Sequence, residues 1–198
     1  MIPLLLGYAT GLSLVILVGP VLLVLLTNTL GRGPKAGLLV ALGIFVSDIL
    51  AVALTLVGIG ALMEQPHFKR TVALLGAIVL LGMGIRYLIA PGLRKAGKIS
   101  TSTLTGAFVQ GFLVNFVNPF VFMVWIGIIT AARATWGTTG SLYLYVSGTL
   151  LGILTLDLLK VVLAGHLAPF LRRRGFIVLR RVSGGALILF SVRLLVAI

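Results

Sequence analysis

Pro119 sits inside an apolar run over about 104–132, at the end of the stretch Gln110-Gly111-Phe112-Leu113-Val114-Asn115-Phe116-Val117-Asn118-Pro119. The run is long enough to cross a bilayer as one helix. A proline inside such a helix removes one backbone hydrogen bond and clashes with the preceding turn, so the helix must kink or open. In hydrocarbon, that break is tolerated only where other groups satisfy the freed backbone or where it lines a cavity. Asn115 and Asn118 bring amide groups to it. A second break, Val18-Gly19-Pro20, interrupts the first apolar run. Gly/Pro interruptions in corresponding places of two halves point to a transporter's substrate site. The expected site therefore includes Gly19, Pro20, Asn115, Asn118 and Pro119.

Composition excludes the main alternatives. The chain has 198 residues, is 60% hydrophobic and carries three acidic residues, too few polar groups to cover a soluble domain of that size. It reads as one all-α polytopic membrane domain over 1–198. The net charge of +13 comes from basic residues in short segments between apolar runs. That is positive-inside topology, so membrane lipid is an expected partner and nucleic acid is not. No cysteine is present, which removes disulfides, thiol redox chemistry and thiolate metal sites. The first run starts at Ile2 without a basic n-region or a cleavage motif and reads as a retained span, not a signal peptide.

Six apolar runs lie at about 3–27, 37–62, 71–91, 104–132, 141–165 and 182–198, separated by Gly/Pro/charge clusters such as Gly31-Arg32-Gly33-Pro34-Lys35. Loops one, three and five hold ten basic residues (Arg32, Lys35, Arg94, Lys95, Lys98, Arg172, Arg173, Arg174, Arg180, Arg181). Loops two and four hold three (Lys69, Arg70, Arg133). The bias makes the odd loops cytoplasmic and both termini extracytoplasmic. The basic stretch 170–182 reads either as a segment along the inner leaflet or as a solvated turn.

The halves resemble each other. Gly43 precedes Asp48 as Gly152 precedes Asp157, by five residues each. Pro20 and Pro119 are 99 apart, Asp48 and Asp157 are 109 apart, and Arg86 and Arg193 are 107 apart. With three spans per half, the second half must enter the membrane upside down. The expected architecture is a 3+3 inverted repeat, with halves at about 1–95 and 104–198 and Pro-broken helices 1 and 4, suited to alternating access.

Asp48 and Asp157 lie deep in spans two and five. A charge at the bilayer centre costs at least about 2.5–3.5 kcal/mol, so each needs a partner, a cavity or a proton. Each can bind an ammonium group, exchange a proton, or make a structural bond between helices. Asp48 has no basic neighbour on its own helix, and Ser47 adjoins it. Asp157 has Lys160 three residues on, which either neutralises it or binds a carboxylate. Arg86 and Arg193 read as snorkelling residues. Thr27, Asn28, Thr55, Gln110, Ser147, Thr149 and Thr155 read as helix–helix hydrogen-bonding groups. The pairs Gly7/Gly11 and Gly148/Gly152 have close-packing spacing. Trp125 and Trp136 read as an interfacial aromatic belt. His67 and His166 fall in loops on opposite sides, and no catalytic or phosphate-binding motif occurs, so neither an enzyme, a cofactor nor a resident metal is expected.

The segments Gly7…Gly11, Val18-Gly19-Pro20, Gly31…Gly37, Gly43 and Ser47-Asp48 resemble the first half of the LysE/RhtB amino-acid exporter family. Gly111 to Phe120 resembles its second-half signature, and Arg181-Val182-Ser183-Gly184-Gly185-Ala186 resembles its last-span entry. Many members carry Pro where this chain has Val18, and a basic or polar residue where it has Phe120. The resemblance implies six helices in a prokaryotic inner membrane. It also implies export of an amino acid or related amine-bearing solute, driven by exchange with a proton or another ion. A related branch exports divalent metals, so a metal-cation exporter is the alternative. The sequence leaves the particular solute and any homo-oligomer open.

Overall fold

The computed structural model describes residues 1–14, 20–58, 65–89, 101–137, 140–167 and 173–196. The described residues form eight α-helices and no strand. They are α1 (Ile2–Ser13), α2 (Pro20–Arg32), α3 (Pro34–Val57), α4 (Pro66–Ile89), α5 (Thr101–Phe116), α6 (Pro119–Trp136), α7 (Gly140–Leu167) and α8 (Arg173–Val196). Proline opens α2, α3, α4 and α6, where its missing N–H is one that the helix leaves unbonded anyway.

The first apolar run is described as two helices, α1 and α2, in keeping with the expected interruption; residues 15–19, with Gly19 among them, lie outside the described residues. Two expectations shift. The first loop shrinks to Gly33 alone, because its φ of 91° lets α2 turn directly into α3. From Arg173 on, the basic stretch is not a turn; it is the beginning of α8.

Three helix pairs pack at very short range: α1 with α7, α3 with α5, and α4 with α8. Glycine makes this approach possible. A Cβ at Gly11 would land on the Thr149 carbonyl oxygen, and one at Gly152 on that of Tyr8. The second pair repeats the arrangement, with Gly111 against the Val40 carbonyl and Gly43 against that of Phe108. Gly84 and Gly184 face each other in the third. The glycine spacings read in the sequence are thus complementary faces of one seam.

Two apolar clusters fill the interior. One gathers Val24, Leu25, Val40, Ile44, Leu80, Val114 and Val161; the other gathers Ala51, Val52, Phe122, Trp125, Ile129 and Val146. α3 runs through both, and Ser47 and Asp48 fall between them. Large side chains on its outer face, among them Leu42, Val46 and Ile49, are exposed, a surface that suits lipid and not water. α3 and α7 are each long and apolar enough to cross a membrane, and α5 with α6 make a third candidate span bent by 64°. α1, α2 and Leu74–Ile89 of α4 are shorter apolar helices.

Candidate functional site

Asp48 is 4% exposed, at the junction of the two apolar clusters. Its Oδ1 accepts hydrogen bonds from Asn115 Nδ2 at 2.9 Å and from Trp125 Nε1 at 3.0 Å. Asn115 Nδ2 also reaches Ser47 Oγ at 3.2 Å and the Ile44 carbonyl at 3.4 Å. Among the described residues, neither a cation nor a donor to Oδ2 meets this carboxylate. A buried ion held only by neutral donors is poorly compensated, so the group retains capacity for a proton or an ammonium.

The two donors come from opposite sides of the break. Asn115 is in the last turn of α5 and Trp125 in the second turn of α6, so Asp48 ties both arms of the bent pair to α3. At the break itself, the Asn118 N–H turns to the Asn115 carbonyl at 3.2 Å, and the Val121 N–H to the Asn118 carbonyl at 3.0 Å. The Phe120 N–H goes to Asn118 Oδ1 at 3.1 Å. The carbonyls of Val114, Phe116 and Val117 therefore lose the donors that a continuous helix would give them. Asn118 does not reach Asp48; it caps α6.

Asp157 is 5% exposed on α7. Its Oδ1 forms an ion pair with Lys160 Nζ at 2.9 Å, one turn along the same helix. Pro20 is buried at the start of α2. Of the residues expected at the site, the structure brings together Asp48, Ser47 and Asn115, leaves Asp157 with Lys160, and gives Asn118 and Pro119 the task of starting α6.

Trp125 corrects the expectation of an interfacial belt, since its ring is 1% exposed. Burying an indole requires an acceptor for its N–H, and the carboxylate lacking a local partner was the signal that could have linked the two. Trp136 closes α6 and is not in a loop; with Thr10 and Tyr145 it lines a cleft of about 340 Å³ away from both carboxylates. Among the described residues, no three His, Cys, Asp or Glu side chains gather as a metal site.

Apolar helices, a span interrupted at Asn118-Pro119 and carboxylates buried between helices define a polytopic membrane protein with the build of a translocator. The LysE type translocator family profile matches residues 12–197, and the chain belongs to that family. "Leucine efflux protein" of Salmonella typhimurium (strain LT2) is 35% identical over 117 residues, 57% of this chain and 55% of its own length. The chain thus spans about half the length of that relative. "Putative amino acid efflux protein YcgF" of Bacillus subtilis (strain 168) is 27% identical over 188 residues, 91% of this chain and 89% of its own. "Leucine efflux protein" of Enterobacter sp. (strain 638) is 28% identical over 151 residues, 72% and 70% respectively. No solved structure matches the chain.

Proposed function

We propose that this protein exports an amino acid or a related small amine-bearing solute across a prokaryotic inner membrane, in exchange for a proton or another ion. Family membership and the names of its relatives support that class of cargo. The observation that carries the mechanism is the Asp48 carboxylate, buried with no cation beside it among the described residues and bonded to both arms of the broken span.

In this reading six spans form a 3+3 inverted repeat. The matching glycine seams support it, since α1 meets α7 as α5 meets α3. Ionised Asp48 holds Asn115 and Trp125 firmly, because hydrogen bonds to a charged acceptor are about twice as strong as neutral ones. Taking up a proton from outside weakens both bonds and frees α6 to move against α3. Releasing it inside restores the clip. Each proton carried inward yields about 2.3 kcal/mol per 100 mV, enough to help drive export. The freed carbonyls of Val114, Phe116 and Val117 suit the cargo's ammonium group, while Asp157 holds that group at another stage or stays paired with Lys160. Pro20 plays the part of Pro119 in the first half.

The test is uphill transport by purified protein in liposomes. Asp48→Asn keeps the hydrogen-bonding shape and removes the titration, so export driven by a pH gradient stops while the protein still folds. Uphill export by this variant at the wild-type rate would remove Asp48 as the coupling group. The proposed orientation has a separate check, because the chain contains no cysteine. A cysteine at Ser100 should resist an impermeant thiol reagent in intact cells; labelling there would reverse the topology.

A further inference from the structure

A second polar cluster lies beyond the Asp48 site, where α2, α4 and α5 converge. Asn28 is 3% exposed and at its centre. Its Nδ2 reaches the Val24 carbonyl at 2.9 Å, Gln110 Oε1 at 3.1 Å and the Tyr87 hydroxyl at 3.4 Å. Its Oδ1 accepts from Arg32 Nη1 at 2.8 Å. Thr27 Oγ1 also approaches the Tyr87 hydroxyl, at 3.2 Å, and Tyr87 is 8% exposed.

The chemistry of this cluster is one-sided. An arginine carries five N–H donors in a planar fork, and among the described residues Arg32 uses its fork on Asn28 alone. Gln110 accepts through Oε1, and its own amide hydrogens meet no acceptor among the described residues. The two described carboxylates are engaged elsewhere, Asp48 with Asn115 and Trp125 and Asp157 with Lys160. What remains is a cationic fork backed by a buried amide and short of acceptors, which is the complement of a carboxylate. The α6 N-terminus competes poorly for that role, because Asn118 already occupies the Phe120 N–H.

We propose that Arg32, held by Asn28 and flanked by Gln110 and Tyr87, is an entry subsite for the carboxylate of the cargo. The proposal rests on the exporter reading above. Gln110 precedes Asn115 by five residues on α5, about 7.5 Å along the axis, toward the end of the helix that the loop charges make cytoplasmic. An α-amino acid cannot span both places at once. The cargo therefore meets Arg32 first and moves on to the break.

The test uses full-length protein in liposomes, with L-leucine as probe and L-leucinamide as the matched cargo lacking a carboxylate. Arg32→Gln should raise the half-saturating concentration of leucine about tenfold, the loss expected for one charge-assisted contact. Leucinamide kinetics and the maximal rate for leucine should not change. Arg32→Lys, which keeps charge but loses the fork, should recover part of the affinity. Equal effects on acid and amide would overturn the subsite. So would an effect that vanishes in purely zwitterionic lipid, which would make the partner of Arg32 an anionic lipid headgroup. If the wild-type protein moves leucine and leucinamide equally well, the subsite falls and the exporter survives. If it moves neither leucine nor any other amino acid of a panel, both fall.

Discussion

Asp48 and Asp157 hold matching places, each five residues beyond a glycine that packs against a neighbouring helix. Their surroundings differ. Asp48 is met by two neutral donors from other helices, whereas Asp157 is met by a cation from its own. The glycine contacts explain how the difference arose. Gly11 meets Thr149 as Gly111 meets Val40, so the register pairs Ala51 with Lys160. A lysine stands on α7 where α3 has alanine. The backbone seams place both carboxylates, and the residues around them decide which partners each one meets.

The largest effect separates the two directly. Asp48→Asn should reduce gradient-driven export at least about a hundredfold, while Asp157→Asn should mainly raise the half-saturating cargo concentration, by about tenfold. Equal losses of uphill rate in liposomes would break the comparison. Next in size is Lys160→Met. Removing one partner of a buried pair costs about 3–5 kcal/mol, and the low end applies because Lys160 is 23% exposed. The double variant Asp157→Asn/Lys160→Met should be more stable than Lys160→Met alone, whereas an Asp48→Asn/Lys160→Met pair should be additive; thermal unfolding in detergent reads both.

Asn115→Val removes the amide that meets Asp48 from α5. Losing a hydrogen bond to a charged acceptor should cost about 2 kcal/mol, and export should fall with it. Stability and transport both at the wild-type level would show that Trp125 alone holds Asp48. The smallest effect tests the shared frame. Gly43→Ala and Gly152→Ala should each destabilise by about 1–2 kcal/mol, because a Cβ at either meets a carbonyl oxygen on the facing helix. Gly127→Ala, which meets nothing within 4 Å, should be neutral or stabilising. Unequal costs at Gly43 and Gly152 would undo the equivalence of the two seams.

Much of this was legible in the chain itself. Pro119 announced the break, because no helix interior accommodates its ring, whereas Asn118 reads as a site amide and not as the cap that it forms. Gly7/Gly11 and Gly148/Gly152 announced close packing, though spacing alone does not say that each motif meets the other. Lys160 at i+3 announced the ion pair. Trp125 was not legible. An indole in an apolar helix suits an interface as well as a core, and only the three-dimensional crossing of α3 and α6 brings its N–H to Asp48. Asn28 and Arg32 were legible as polar residues, but their convergence with Tyr87 and Gln110 depends on three helices meeting.

The seam between α1 and α7 also has a bearing on biosynthesis. Thr10 bonds to Tyr145 across 135 residues of sequence, at 2.8 Å. At translation rates of about 5–20 residues per second, the partner of α1 emerges roughly 7–27 seconds after it. Throughout that interval the glycine face of α1 has no helix to pack against. The first helix must therefore be held by the insertion machinery or by surrounding lipid until the fifth apolar run is made. Slowing translation between the two, or shortening the wait by circular permutation, should change the yield of assembled protein without altering a single contact in its final form.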